Sequence, residues 1–204
     1  MAPDLANGSK RGKTMPIRFT KTVLSGVTII EPQVFRDNRG FFWETFQSRK
    51  YAEAGIDRAF VQDNHSHSSR DTVRGLHYQI KHAQGKLVYV VIGEIFDVAV
   101  DIRRGSPTFG KWLGLILSEE NKKQLYIPEG FAHGFCVLSE TADIMYKCTD
   151  FYSPEDEGGI LWADPELGID WPVKDPIISE KDLRNPTLKD VPLDRLPSYL
   201  GQRP

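Results

Sequence analysis

Alternating hydrophobic and polar positions run through the middle of the chain and predict β-strands. From Phe96 to Ile102 every second residue is a large apolar one, so Asp97 and Asp101 fall on the opposite strand face. A continuous apolar run covers 87–92, and Gly93 with the glutamate after it predicts a hairpin turn before the next strand. Similar spacing recurs over 113–117 and 144–148. Many short strands broken by Gly and Pro indicate a sandwich or barrel, rather than βαβ units.

Helical signals are few and short. Ser48 predicts the cap of a helical turn that ends at Gly55, and Ser118 predicts the cap of a short helix over 119–123, with acids first and bases last. Residues 179–182 have the form of a capping box. The sequence therefore predicts an all-β protein with a few short helices.

The two ends of the chain differ from its middle. Residues 1–14 are polar and without periodicity, which predicts a disordered leader ahead of Met15. The last twenty residues carry four prolines and predict an extended surface tail. No linker or repeat divides the rest, so residues 15–204 are predicted to form a single domain.

Composition excludes several classes of function. The 204 residues are 40% hydrophobic and 26% charged, with a net charge of −2, which gives no electrostatic reason to expect nucleic acid as a partner. No apolar run is long enough for a membrane span, and the basic residues near the start are not followed by the apolar segment of a secretory signal. Cys136 and Cys148 are interpreted as free thiols in a reducing cytoplasm, with a single disulfide between them as the alternative.

The segment 73–79 carries the strongest chemical signal. It sets His77 three residues after Arg74 in a stretch typical of a buried strand, and Lys86 follows shortly afterwards. An imidazole beside cations can take a proton from a substrate whose negative charge the cations then stabilise. The alternative is a structural histidine on a barrel strand.

Spacing also predicts an irregular strand here. Residues three apart on a regular strand point to opposite faces, so Arg74 and His77 could not both reach one substrate. Gly75 lies between them and admits a bulge that would shift the register. In the alternative, Arg74 sits at the strand's entrance and reaches around the rim.

Two other segments have both a structural and a functional interpretation. Residues 128–135 match a cupin motif, with His133 entering the next strand, and His65 and His67 form an H-x-H pair. No glutamate follows that pair at the cupin spacing, so surface histidines are predicted and no metal site. The turn over 37–40 precedes an aromatic-rich strand, which predicts either a plain hairpin with a cross-strand Arg–Glu pair or a nucleotide site with an arginine on a diphosphate.

The ordered set of motifs resembles one family closely. It comprises Asp37-x-Arg39-Gly40-x-Phe42-x-Glu44-x-Phe46, Gln62-Asp63-Asn64-His65-Ser66, Arg74-Gly75-Leu76-His77-Tyr78-Gln79, Gln84-Gly85-Lys86-Leu87-Val88, Pro128-x-Gly130-Phe131-Ala132-His133-Gly134-Phe135 and Tyr146-Lys147-Cys148-Thr149-Asp150. Together these resemble the dTDP-4-dehydrorhamnose 3,5-epimerases, from about Phe19 to about Asp182. The resemblance implies a cupin-type jelly-roll barrel with flanking strands, acting in dTDP-L-rhamnose synthesis.

The resemblance also implies catalytic roles. His77 would be the base that removes protons beside the C4 ketone, and Asp182 its carboxylate partner, although the capping box alone would explain Asp182. Tyr146 would return a proton on the opposite sugar face, unless it is only a core tyrosine. Lys86 and Arg74 would hold the sugar and stabilise the enolate. His133 would lie near the reacting sugar.

Binding roles and partners follow in the same way. The implied contacts to the nucleotide and diphosphate are Arg39, Glu44, Phe35, Gln62, Asn64 and Tyr152, with Lys181 near the site. The family implies no cofactor, a dTDP-sugar substrate, and a homodimer that exchanges N-terminal strands. Tyr89 stands where the family usually has arginine, which predicts a local change in packing or subunit contact. The alternatives are an epimerase acting at C3 or C5 alone, or a non-catalytic or metal-dependent cupin.

Overall fold

Strands make up most of the regular structure in the described part of the chain. The computed structural model describes residues 16–199 and residue 201, so the leader predicted over 1–14 lies outside the described residues. The strands are, in order, β1 (Arg18–Lys21), β2 (Thr28–Glu31), β3 (Val34–Asp37), β4 (Gly40–Trp43), β5 (Gln62–Ser69), β6 (Val73–Gln79), β7 (Lys86–Ile92), β8 (Glu94–Asp101), β9 (Trp112–Ser118), β10 (Gln124–Ile127), β11 (Phe131–Val137), β12 (Thr141–Cys148) and β13 (Glu157–Gly159).

Two antiparallel sheets form the body of the protein. One has the strand order β1-β2-β10-β7-β12-β5, and the other has the order β13-β6-β11-β8-β9. Side chains from both sheets build a shared core, in which Val88, Ile95, Leu125 and Ile144 are fully buried. Apart from the pairs β1–β2 and β8–β9, neighbouring strands in each sheet are not consecutive in the chain, as in a jelly roll. The prediction of an all-β jelly-roll fold is confirmed.

Period-two alternation in β8 distributes its side chains between two buried regions. Val98 and Val100 pack into a second apolar cluster on the outer face of the five-stranded sheet, whereas Ile95 and Ala99 face the core between the sheets. Asp97 shares the parity of Ile95 and Ala99 and is wholly buried. Asp97 and Asp101 do lie opposite the larger apolar side chains, as predicted, but that face is the interior of the barrel.

Two local predictions are wrong. The chain turns at Gly93, but β7 and β8 belong to different sheets, so the turn is a crossover and not a hairpin. Residues 119–121 form a turn instead of a helix. The Ser118 hydroxyl does accept the N–H of Asn121 at 3.1 Å, but Lys122 then takes a left-handed φ of 53°, which ends any helix.

The helices lie outside the sheets. Helix α1 (Ser48–Glu53) is capped by the side chain of Gln47 rather than by Ser48, and helix α2 (Glu180–Leu183) is capped by Ser179, whose hydroxyl accepts the Asp182 N–H at 3.1 Å. The predicted capping role of Ser179 in the box at 179–182 is thus confirmed. No helix among the described residues is long and apolar enough to cross a bilayer.

The end of the chain is packed against the sheet. Two 3₁₀-helices, Leu188–Asp190 and Leu193–Arg195, follow α2. Leu188, Val191 and Leu196 are buried in the cluster on the outer face of the five-stranded sheet. The prediction of an extended surface tail is wrong here, because apolar residues between the prolines cover that sheet.

Candidate active site

A cavity of about 890 Å³ opens at one end of the barrel and is lined by strands of both sheets and by α2. Ten of the thirteen predicted site residues line this cavity: Gln62, Asn64, Arg74, His77, Lys86, His133, Tyr146, Tyr152, Lys181 and Asp182. Its size fits a small-molecule ligand.

His77 and Asp182 form a hydrogen-bonded pair at the wall of the cavity. The ring Nε2 of His77 lies 2.7 Å from Oδ1 of Asp182, and the other carboxylate oxygen accepts the N–H of Gly75 at 3.2 Å. Burial acts to raise the pKa of Asp182, but the bonds from His77 and Gly75 hold that pKa below its usual value. When His77 is neutral, the carboxylate accepts the proton on Nε2, which leaves Nδ1 free to accept a proton.

The predicted bulge in β6 is confirmed. His133 of β11 pairs with His77, whereas Phe135 pairs with Arg74, so the register shifts between the two positions. Gly75 has a φ of 107°, and a Cβ there would lie 2.6 Å from the carbonyl oxygen of His133. The shift allows both Arg74 and His77 to line the cavity, with the Arg74 Nε 3.0 Å from the Ser68 hydroxyl.

Lys86 and Tyr146 belong to the opposite sheet. Lys86 pairs with Cys148 in the ladder between β7 and β12, and Tyr146 lies two residues before Cys148, on the same face. Burial lowers the pKa of Lys86 and raises that of Tyr146. Lys86 forms no ion pair with another described residue. The site therefore presents a lysine that no described carboxylate pairs with and a phenol that stays protonated.

A second histidine, His133, is buried and faces the same cavity. His133 Nε2 lies 2.8 Å from Oδ1 of Asp97, and the other oxygen of Asp97 has no hydrogen-bond partner among the described residues. The sequence interpretation did not include Asp97 in the site. The alternation in β8 placed Asp97 on one face of that strand, and pairing of β8 with the strand of His133 would have brought Asp97 into the site.

Polar side chains at the rim form a connected network. The Gln62 side chain accepts the N–H of Tyr152 at 2.9 Å and donates to Asn64 at 3.0 Å. The Tyr152 hydroxyl donates to Glu157, and so does the ammonium of Lys181. Glu157 was not predicted as a site residue.

Three predicted binding residues lie away from this cavity. Phe35 and Arg39 belong to the β3–β4 hairpin, and Glu44 follows it. Arg39 pairs with Asp37, and Glu44 pairs with Lys50 at 2.8 Å, so the alternative cross-strand Arg–Glu pair is not formed. Of the two aromatic residues predicted to contact the nucleotide, Tyr152 lines the cavity of this chain and Phe35 does not.

The H-x-H pair lies on an exposed part of β5. Both His65 and His67 contact the carboxylate of Asp143, at 2.7 and 3.2 Å. Among the described residues no group of three or more His, Cys, Asp or Glu side chains is arranged to hold a metal ion. Cys136 and Cys148 are buried and unpaired, as interpreted, so the alternative of a disulfide between them is wrong.

Tyr89, the departure from the family pattern, packs against Trp43. Its ring meets that of Trp43 edge-on, with 5.5 Å between centroids. Trp43 ends β4, so Tyr89 lies beside the β3–β4 hairpin, where a local change in packing or subunit contact stays a prediction.

Comparisons with known proteins agree on one family. The sequence model of the family described as dTDP-4-dehydrorhamnose 3,5-epimerase matches residues 21–190. A Pseudomonas aeruginosa enzyme of that name is 57% identical over 86% of this chain and 98% of its own length. A Neisseria gonorrhoeae enzyme of that name is 58% identical over 81% of this chain, which spans 51% of that longer relative.

A solved structure has the same fold throughout. It is the dTDP-6-deoxy-D-glucose-3,5-epimerase of Legionella pneumophila in complex with dTDP-4-keto-L-rhamnose, 52% identical, with a TM-score of 0.89 over 91% of this chain and 100% of the other. On this match of sequence and fold, the chain belongs to the dTDP-4-dehydrorhamnose 3,5-epimerase family of isomerases.

Proposed function

We propose that the protein converts dTDP-4-dehydro-6-deoxy-D-glucose to dTDP-4-dehydro-L-rhamnose by inverting C5 and C3. The observation that carries this proposal is the His77–Asp182 pair in one cavity with Lys86 and Tyr146. A ketone at C4 acidifies the C–H bonds at both neighbouring carbons, so a base, a cation and an acid suffice for the reaction.

Each epimerisation moves two protons. The Nδ1 atom of His77 takes the proton from carbon, and the electron pair of that bond moves to the C4 oxygen to form an enolate. Lys86 is half-buried and forms no ion pair with another described residue, so its ammonium is available to stabilise the negative charge that develops on the C4 oxygen. Tyr146 then donates a proton to the other face of the same carbon. Its raised pKa keeps the phenol protonated until that step.

The rim network supports binding of the nucleotide part of the substrate. Tyr152 offers a half-exposed ring for stacking on a base, and Gln62 and Asn64 offer amide groups. Arg74 and Lys181 supply positive charge for the diphosphate.

We further propose a homodimer in which the β3–β4 hairpin serves the partner's cavity. This would explain why Phe35, Arg39 and Glu44 do not reach the cavity of their own chain. In such a dimer the partner would also cover Phe35 and Phe42, whose rings are 45% and 68% exposed in the single chain. The test is to mix His77→Ala and Arg39→Ala subunits by joint refolding. Activity regained in the mixture supports shared sites, and none regained contradicts them.

The proposed compartment is the cytoplasm. Two unpaired, buried thiols support it, because such cysteines are typical of reducing compartments.

Deuterium exchange tests the proposed reaction. Purified protein is given the 4-keto sugar nucleotide in D₂O, and NMR follows the C3 and C5 protons. We expect deuterium at both carbons and the L-configured product. Exchange at one carbon only would replace the proposal with the C3-only or C5-only epimerase, and no exchange would reject epimerase function.

A further inference from the structure

Glu157 is a carboxylate that the proposed mechanism does not use, although it lies beside the base. It begins β13, which pairs with β6 so that Glu157 faces Gln79 and Gly159 faces His77. Side chains two apart on a strand share a face, so Glu157 and His77 are diagonal neighbours on the cavity side. Both residues line the cavity.

Two rim groups converge on this one carboxylate. Its Oε2 atom accepts the Tyr152 hydroxyl at 2.6 Å and the Lys181 ammonium at 2.5 Å. The Glu157 side chain is only 12% exposed, whereas that of Lys181 is 63% exposed. Tyr152 comes from the loop after β12 and Lys181 from α2, so Glu157 joins two segments that are otherwise separate.

Glu157 stays ionised more readily than an ordinary glutamate because of its neighbours. Burial acts to raise the pKa of Glu157, but the bonds from Lys181 and Tyr152 and the charge of His77 hold it below its usual value. Lys181 also precedes Asp182, the partner of His77. The other ionisable groups that line the cavity are His67, Arg74, Tyr78, Lys86, His133 and Tyr146. Asp97 lies behind His133, and Arg195 donates to the backbone carbonyl of Glu157.

We propose that Glu157 is a positioning residue for the reaction. It holds Tyr152 and Lys181 at the mouth of the cavity, and with Lys181 it sets the charge felt by His77. The catalytic part of this proposal rests on the proposed function. The effect of Glu157 and Lys181 on the titration of His77 can be measured in the protein without substrate.

The charges of Glu157 and Lys181 should shift the titration of His77 in opposite directions. Removing the carboxylate leaves Lys181 unopposed and disfavours protonated His77, so His77 should titrate at lower pH. Removing Lys181 leaves Glu157 unopposed and favours protonated His77, so His77 should titrate at higher pH. A carboxylate with only a structural role would produce no such pair of opposite shifts.

The experiment compares Glu157→Gln, Lys181→Met and Glu180→Gln in the full-length protein without substrate. Histidine ring resonances are followed by NMR across pH, and the His77 signal is identified by its loss in His77→Ala. We expect its midpoint to move down by about half a unit in Glu157→Gln and up by a similar amount in Lys181→Met. Glu180 is the matched control, because it pairs with Arg184 on the same helix while 86% exposed, and its variant should leave the midpoint unchanged.

Turnover supplies the second readout. The acidic limb of kcat/KM against pH should move with the NMR midpoint in Glu157→Gln. Glu157→Ala, which also releases Tyr152, should raise KM further than Glu157→Gln does. Unmoved midpoints in both charge variants would overturn the proposal. Midpoints that move as expected in a protein without epimerase activity would reject the proposed function and leave only the effect of Glu157 and Lys181 on the titration of His77.

Discussion

The carboxylate of Asp182 holds Nε2 of His77 at 2.7 Å although 105 residues separate them in the chain. The Gly75 N–H binds the other oxygen of the same carboxylate, so the bulged strand that carries the histidine also anchors its partner. The orientation of the base therefore depends on α2 as well as on β6.

Replacing His77 by alanine should abolish turnover and leave the fold intact, because His77 is the proposed sole base. The expected loss is at least 10²- to 10⁴-fold, the usual size of a general-base contribution. Exchange of the C5 proton in D₂O is the measurement, and circular dichroism and dTDP binding check the fold. Substantial remaining exchange would mean that another group removes the proton.

Asp182→Asn should slow the reaction without stopping it. The amide is similar in shape, but it cannot stabilise the imidazolium that forms when His77 takes a proton. We expect kcat to fall by roughly 10²-fold or more and the acidic limb of the pH–rate profile to move.

Ser179→Ala separates this role from helix capping. It removes the cap of α2 and should cost about 1 kcal/mol of unfolding free energy, with a much smaller loss of kcat than in Asp182→Asn. Equal losses of activity in the two variants, with no change in the pH–rate profile, would mean that Asp182 contributes only to the capping of α2.

Tyr146→Phe should separate proton removal from proton return. The ring still fills its place in the cavity wall, but the donor is lost. We expect deuterium exchange to persist while inverted product becomes scarce, because a proton returned from the original side restores the substrate. NMR of both exchange and product in the same sample checks this. Inversion of both centres at the normal rate would make Tyr146 structural.

Local patterns predicted the central strands well because each has one dominant period. The alternation over 96–102 and the capping serine at 179 depend on neighbours in the sequence, and both occur in the structure. The bulge at Gly75 was also predictable, because two residues three apart had to share a face.

Features that depend on tertiary pairing were not predictable in this way. The sequence around Gly93 predicts a hairpin between β7 and β8. In the structure β7 pairs instead with β12 and with β10, which comes from 124–127. The tail looks exposed because of its prolines, yet Leu188 and Leu196 are buried on a sheet formed much earlier in the chain. Asp97 and Glu157 escaped prediction because only strand pairing brings them beside the two histidines.

Acid should destabilise the protein through Asp101. This buried carboxylate accepts bonds from Arg103, Ser106 and Thr108, at 2.6 to 2.8 Å. Burial acts to raise its pKa, but these bonds hold it below the ordinary value. A pKa lower in the folded than in the unfolded state means that the stabilisation is complete above about pH 4 and is lost as the pH falls through the folded pKa.

The measurement is the unfolding midpoint of Asp101→Asn and of the normal protein between pH 7 and pH 3. The variant should lose about 3 to 5 kcal/mol at pH 7, because it leaves Arg103 buried without its partner, and its acid dependence should be flatter. Glu166→Gln is the control, since Glu166 pairs with Lys189 at the surface. A variant with the same acid dependence as the normal protein would contradict the assignment.

Gly75→Ala should destabilise the protein far more than Gly105→Ala, which provides the comparison. Both glycines have positive φ, 107° and 80°, so both variants carry the cost of about 1 kcal/mol for a left-handed backbone. Only at Gly75 does a new Cβ meet other atoms, 2.6 Å from the His133 carbonyl oxygen and 2.8 Å from the Gly134 Cα, whereas nothing lies within 4 Å at Gly105. Backbone atoms of β11 cannot move aside cheaply, so a further 1 to 3 kcal/mol, roughly, is expected from overpacking. Chemical unfolding of the two variants measures the difference. Equal stability would mean that the bulge can relax, and activity in Gly75→Ala would then show whether Arg74 and His77 need that bulge to share the cavity.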